Sequence, residues 1–250
     1  AAPSTPSGVA AVAELFLRDG GALRVGIGDR GLALVARLFA GHSTQSSARE
    51  ALRALTTEAK RRIPALSAAD AALVLNALAR SAEDTVNMDD IGEITDCVCK
   101  RMQSSDAAPR DVANTVEALS RLRQRHEGLL HAIAEYVPAE LGRFGARDAV
   151  GVVVALGRLR ETDEPTLIAL AGRIRQEVGL YSLADIVSVC TAFARLRIRE
   201  LRLLDAVFAR CSAPEASREL RASDGVALLS AFGRLKVAHN HSFATIGEVV

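Results

Sequence analysis

An aspartate recurs along this chain at Asp70, Asp111, Asp148, Asp185 and Asp224, spaced by 41, 37, 37 and 39 residues, and the same block follows it each time. With the aspartate as position zero, position seven is always alanine: Ala77, Ala118, Ala155, Ala192 and Ala231. Position eight is Leu78, Leu119, Leu156, Phe193 or Phe232, and position nine is small throughout: Ala79, Ser120, Gly157, Ala194 and Gly233. Position ten is arginine in every unit: Arg80, Arg121, Arg158, Arg195 and Arg234. Four units add leucine at eleven and a cation at twelve: Arg123, Arg160, Arg197 and Lys236. A worn earlier unit is expected at Val35-Ala36-Arg37-Leu38, aligned with positions eight to eleven. Self-similarity at this period marks a repeat array, in which each unit packs only on its neighbours.

Each block reads as a helix with its own start signal. Ser67 and Ser182 stand three residues before an aspartate, as in a capping box with Asp in place of Glu, and Pro109 occupies a first-turn site where proline is tolerated. The aspartate itself is then explained by orphan N–H groups and the positive end of the helix dipole. A second helix follows in each unit, expected near 127–137, 165–178 and 199–211, where apolar residues recur every three or four positions. The fold class implied is all-α, an α-solenoid of about six two-helix repeats of 37–41 residues. Units are expected near 25–65, 66–106, 107–143, 144–180, 181–219 and 220–250, with 1–24 a tail or the remnant of a preceding repeat.

Projecting the first helix of each unit at about 100° per residue sorts its faces. Positions one, four, five and eight fall within about 100° of one another and are mostly apolar, such as Ala149, Val152, Val153 and Leu156, so they form the core face. Positions three, six and ten lie opposite. There Asn114 and Ser188 stand at position three, Asn76, Thr191 and Ser230 at position six, and the arginine at ten. Two roles fit the cations at ten and twelve. They either form a ladder that meets a polyanion backbone, or close helix ends and pair with acids of adjacent repeats.

Charge and composition narrow the function classes. Thirty-one Lys and Arg against 30 Asp and Glu give a net charge of +1, so there is no global basic field and any anion site must be local. No apolar run approaches the ~18 residues that span a bilayer. Cys97, Cys99, Cys190 and Cys211 make no C-x-x-C pair and read as reduced core residues of a reducing compartment.

Other motifs lose their chemistry in context. Gly26-Ile27-Gly28-Asp29-Arg30-Gly31 matches G-x-G-x-x-G, yet no strand with a ribose-binding acid follows, so it reads as a helix start. His239-Asn240-His241 reads as a polar turn, and Cys97 and Cys99, two apart on a helix, point in different directions. No catalytic residue, cofactor or metal ligand is expected, and the chain is read as a non-enzyme. The opening residues 1–8, small and proline-bearing, read as a tail, and residues 246–250 as part of a second helix.

The unit D-(x)6-A-[LF]-[small]-R-L-[RK], most plainly 192–197 and 231–236, resembles the organellar heptatricopeptide and octotricopeptide repeats that accompany RAP domains and FAST-kinase-like proteins. The heptatricopeptide type fits better, because the proline-rich octotricopeptide signature is missing. By resemblance, the partners are RNA, foremost ribosomal RNA, and other proteins of a mitochondrial-matrix ribonucleoprotein, with neither a membrane nor a small-molecule substrate. The first expectation is a structural component of a mitochondrial ribosome; the alternatives are a free organellar RNA-processing, stability or translation factor and a protein–protein scaffold. The residues expected to meet RNA are the nine cations at positions ten and twelve together with Asn76, Asn114, Ser188, Thr191 and Ser230.

Overall fold

The computed structural model describes residues 8–18, 26–81, 87–212 and 219–237. The expected turn at His239-Asn240-His241, the helix at 246–250 and most of the opening tail lie outside these residues. Among the described residues there are twelve α-helices and no strand: α1 Gly8–Leu17, α2 Asp29–Ala40, α3 Ser46–Arg61, α4 Ala68–Leu78, α5 Met88–Gln103, α6 Pro109–Leu122, α7 Glu127–Glu140, α8 Ala146–Leu159, α9 Glu164–Gln176, α10 Leu183–Leu196, α11 Leu201–Cys211 and α12 Ala222–Leu235. None is long and apolar enough to cross a membrane.

The helices form an all-α solenoid of two-helix repeats, in two compact units that divide within α7, between Ala132 and Ile133. In the first unit α4 packs between α2 and α6, with α3 behind α2 and α5 behind α4. In the second, α10 packs between α8 and α12, with α9 behind α8 and α11 behind α10. Each unit thus has one layer of first helices and one of second helices. The layers meet on the predicted face: in α8 Ala149, Val152, Val153 and Leu156 are all buried, as are Ile186, Val189, Cys190 and Phe193 in α10.

Stacking of like helices explains the small residues at positions seven and nine. A Cβ added to Gly157 in α8 would lie 2.6 Å from the Cβ of Ala192 and 2.9 Å from its Cα in α10. Aromatic contacts join other pairs, with Phe16 of α1 against Phe39 of α2 and Phe208 of α11 against Phe232 of α12.

Helix starts follow the sequence signals. Ser67 and Ser182 accept the backbone N–H of Asp70 and Asp185, and the Asp111 carboxylate accepts the N–H of Ala108. Second helices begin where a cap falls. Asp163 accepts the N–H of Thr166 and Glu200 that of Leu203, so α9 starts at Glu164 and α11 at Leu201.

The first unit corrects one alignment. The helix-start reading of the glycine-rich segment holds, since Gly28 is the N-cap of α2. In the later repeats the cap precedes position zero by three residues, as with Ser67 and Asp70. The same offset puts position zero of α2 at Gly31, position eight at the buried Phe39, nine at Ala40 and ten at Gly41. Val35-Ala36-Arg37-Leu38 therefore holds positions four to seven, and this repeat has no arginine at position ten. Burial sets the register: Phe39 fills the core slot that the basic residue Arg37 had suggested for Val35.

A second set of arginines, on or just after the second helices, braces the array. Arg101 donates from Nε to the carbonyl of Leu66 at 3.2 Å, Arg173 from Nε to that of Phe144 at 3.1 Å, and Arg62 to that of Ile27. Each acceptor lies four residues before position zero, and Leu66 and Phe144 are buried. The guanidinium thus supplies charged hydrogen bonds to carbonyls at the turn that precedes a first helix. All four cysteines are buried and unbridged, and burial pushes the Cys99 and Cys211 thiols up to about 11.

Candidate nucleic-acid interface

The cations at position twelve sit at backbone that L-residues rarely adopt. Arg123, Arg160, Arg197 and Lys236 follow α6, α8, α10 and α12 directly, and all four are left-handed, with φ of 55°, 57°, 59° and 53°. The next N–H in each case returns to the carbonyl at position eight: Gln124 to Leu119, Glu161 to Leu156, Ile198 to Phe193 and Val237 to Phe232, at 3.0–3.1 Å. This is the hydrogen bond of a Schellman ending, where glycine is the usual residue because a Cβ costs energy in that conformation. The left-handed state costs an L-residue about 1–2 kcal/mol, and glycine returns roughly 0.5–1 kcal/mol of that as backbone entropy. Arg160→Gly, Arg197→Gly and Lys236→Gly are therefore expected to leave stability unchanged or raise it by about 0.5 kcal/mol each, read by thermal unfolding. A marked loss instead would show that the side chains hold the helix ends.

In the second unit these residues converge with those at position ten. Arg158, Arg195 and Arg234 from the last turns of α8, α10 and α12, and Arg160, Arg197 and Lys236 beyond them, line one open concavity of about 1240 Å³. Arg199, in the turn between α10 and α11, is the seventh cation, and the remaining wall is Gly157, Ala194 and Leu235. No acid lines it. All seven cations are exposed, and none has an ion-pair partner among the described residues. The stacking that packs Gly157 on Ala192 is what sets consecutive arginines side by side. Three helix C-termini also end at this surface, so their carbonyl dipoles offset part of the mutual repulsion.

The first unit treats the same position differently. Arg121 donates to Glu117 Oε1 at 2.6 Å, one turn back on α6, and to Asn76 Oδ1 at 3.1 Å on α4. Here the ion-pairing role is the one realised, and it takes up Asn76 as well. Arg80 and Arg123 are exposed, and Asn114 is half-buried on α6. Of the two roles the sequence left open, pairing is found at Arg121, whereas the seven cations of the second unit have no ion-pair partner among the described residues.

Of the predicted polar residues in the second unit, Ser188 donates its hydroxyl to the Ala184 carbonyl at 2.9 Å. Thr191 and Ser230, both at position six, line a small groove of about 180 Å³ between α10 and α12, with Arg195 and Arg234 at its edge.

Arg199 carries no sequence signal beyond the alternation Arg197-Ile198-Arg199. A cluster in the first unit is likewise assembled from residues distant in sequence. Asp96 and Cys99 of α5 and His126, the residue before α7, bring one ligand-type atom each within 4.8 Å of the others. The ring does not suit a metal. His126 Nδ1 accepts the Leu129 N–H at 3.1 Å, which leaves the proton on Nε2, 3.4 Å from the Asp96 carboxylate. Burial also holds the Cys99 thiol protonated. The arrangement caps α7 and ties its start to α5.

A comparison with curated proteins finds no match. The family model described as RNA-editing substrate-binding complex 6 protein matches residues 60–248, well over half of the chain. The match takes in the five complete repeat blocks and all seven cations of the concavity, and the chain belongs to the RNA-editing substrate-binding complex 6 protein family.

Proposed function

We propose that this chain is a non-enzymatic RNA-binding subunit of a mitochondrial ribonucleoprotein that handles RNA-editing substrates, and that the cationic concavity of its second unit holds the sugar–phosphate backbone. The observation that carries this is the convergence of seven cations, with no acid among the described residues, on one surface of a protein whose net charge is only +1. Such a surface neutralises phosphates and releases their counterions, which supplies affinity without regard to sequence. No aromatic side chain among the described residues lines it, so the described wall offers phosphate contacts rather than a base-stacking platform. The family's name favours the RNA-processing reading over a ribosomal one, and the mitochondrial setting comes from the resemblance of the repeat.

The test is the salt dependence of binding to single-stranded RNA. Seven phosphate contacts at about 0.7 each predict that log K falls with log salt at a slope of roughly −5. A flat dependence, or no binding, removes the concavity as the RNA site. Sedimentation of the endogenous protein separates the two ribonucleoproteins. Migration away from ribosomal subunits, with RNA attached, is the expected result; salt-resistant co-migration with a subunit restores the ribosomal reading.

A further inference from the structure

Seven cations that recognise phosphate alone would hold DNA as firmly as RNA, because both carry the same backbone charge. The groove beside them offers what phosphate recognition lacks. It lies between α10 and α12, is lined by Thr191 and Ser230 over a floor of Ala194, Ala227 and Ala231, and is bordered by Arg195 and Arg234, which also line the cationic concavity. At about 180 Å³ it is below the size of a drug-like ligand site and suits a group no larger than a sugar.

The two hydroxyls differ from others on the helices of this protein. Thr56, Thr57, Thr95, Thr115 and Ser188 each donate to the carbonyl one turn back on their own helix. Thr191 and Ser230 make no such bond and have no partner among the described residues. A hydroxyl both donates and accepts, as does the ribose 2′-hydroxyl. In a strand whose phosphates rest on Arg195 and Arg234, each sugar lies directly beside its phosphate, within one side chain of this groove.

We infer that Thr191 and Ser230 form a ribose subsite that makes the interface prefer RNA to DNA by contact with the 2′-hydroxyl. The inference rests on the concavity being the phosphate site. The sequence repeats position six in every unit, but only these two units place a hydroxyl there with an arginine at ten on both helices and no acid or amide partner.

The experiment compares oligouridylate with oligodeoxyuridylate of equal length, which differ only in the 2′-hydroxyl, on the full chain. The wild type is expected to bind the ribo-oligomer about tenfold more tightly, the scale of one to two neutral hydrogen bonds per site. Thr191→Val combined with Ser230→Ala should bring the ratio near one while the salt slope stays as it was. Thr191→Ser, which keeps a hydroxyl in the same place, should keep the preference and shows that any loss in the first variant does not arise from misfolding. Equal binding of both oligomers by the wild type, with a steep salt slope, overturns the ribose subsite and leaves the phosphate site standing. An undiminished ratio in the double variant does the same. Binding of neither oligomer overturns both.

Discussion

Replacing Arg158, Arg195 and Arg234 together by glutamate is expected to weaken RNA binding by on the order of 10²-fold or more while helix content stays unchanged. Each lost phosphate contact at about 0.1 M salt costs several-fold in affinity, and three such losses multiply to roughly 10². The new carboxylates face the four cations that remain, so they pair with them inside the concavity and remove more of its field. The salt slope should fall in magnitude from roughly 5 to roughly 3, since about four contacts are left. Acids in the last turn of a helix oppose its dipole, at about 0.3–1 kcal/mol each, so some loss of stability accompanies the triple change. The glycine series at Arg160, Arg197 and Lys236 lacks that penalty and still removes three charges, which separates charge from folding. Arg121→Glu is the matched control: its guanidinium already belongs to Glu117 and Asn76, and the salt slope should not move. Filter binding across a salt series, with far-ultraviolet circular dichroism, reads all three. A triple variant with undiminished affinity and slope would place the RNA elsewhere.

The repeat made most of the fold legible. Period, caps and the core face at positions one, four, five and eight all follow from residue type, because burial and helix starts act on neighbours within one or two turns. What escaped depends on partners far along the chain or on a missing signature. The left-handed endings were hidden because their usual mark is glycine, and here Arg123, Arg160, Arg197 and Lys236 stand in its place. The braces from Arg62, Arg101 and Arg173 end on backbone carbonyls 29–35 residues away, and a carbonyl carries no sequence signal. The site shows the same limit. Its arginines were visible as a set, yet whether each is free or paired turns on position six of its own helix and of the neighbour. Glu117 and Asn76 capture Arg121, whereas Thr191 and Ser230 leave Arg195 and Arg234 without an acid. The worn first unit misled by its Arg37, since a cation is conspicuous in sequence while the buried Phe39 that sets the register is not.

Position nine joins packing to the site. Gly157 and Gly233 hold the same repeat position, but alanine should act on them with opposite sign. At Gly157 the new methyl group would overlap the Cβ of Ala192 at 2.6 Å and its Cα at 2.9 Å, and the second of these is backbone that cannot rotate away. Overpacking of this kind costs about 1–3 kcal/mol, against a gain of about 1 kcal/mol in helix propensity. The net expectation is a loss of up to about 2 kcal/mol, or up to roughly 4–8 °C in thermal midpoint for a chain of this size. At Gly233 nothing among the described residues lies within 4 Å of the added carbon, so propensity acts alone and Gly233→Ala should stabilise by up to about 1 kcal/mol. The consequence reaches the concavity, because Gly157 adjoins Arg158 and the separation of α8 from α10 fixes how closely Arg158 stands to Arg195. Gly157→Leu should push the helices apart, destabilise by about 3 kcal/mol or more, and weaken RNA binding although no charge has changed. If Gly157→Ala and Gly233→Ala instead both stabilise, the close approach of α8 and α10 is not what selects a small residue at position nine.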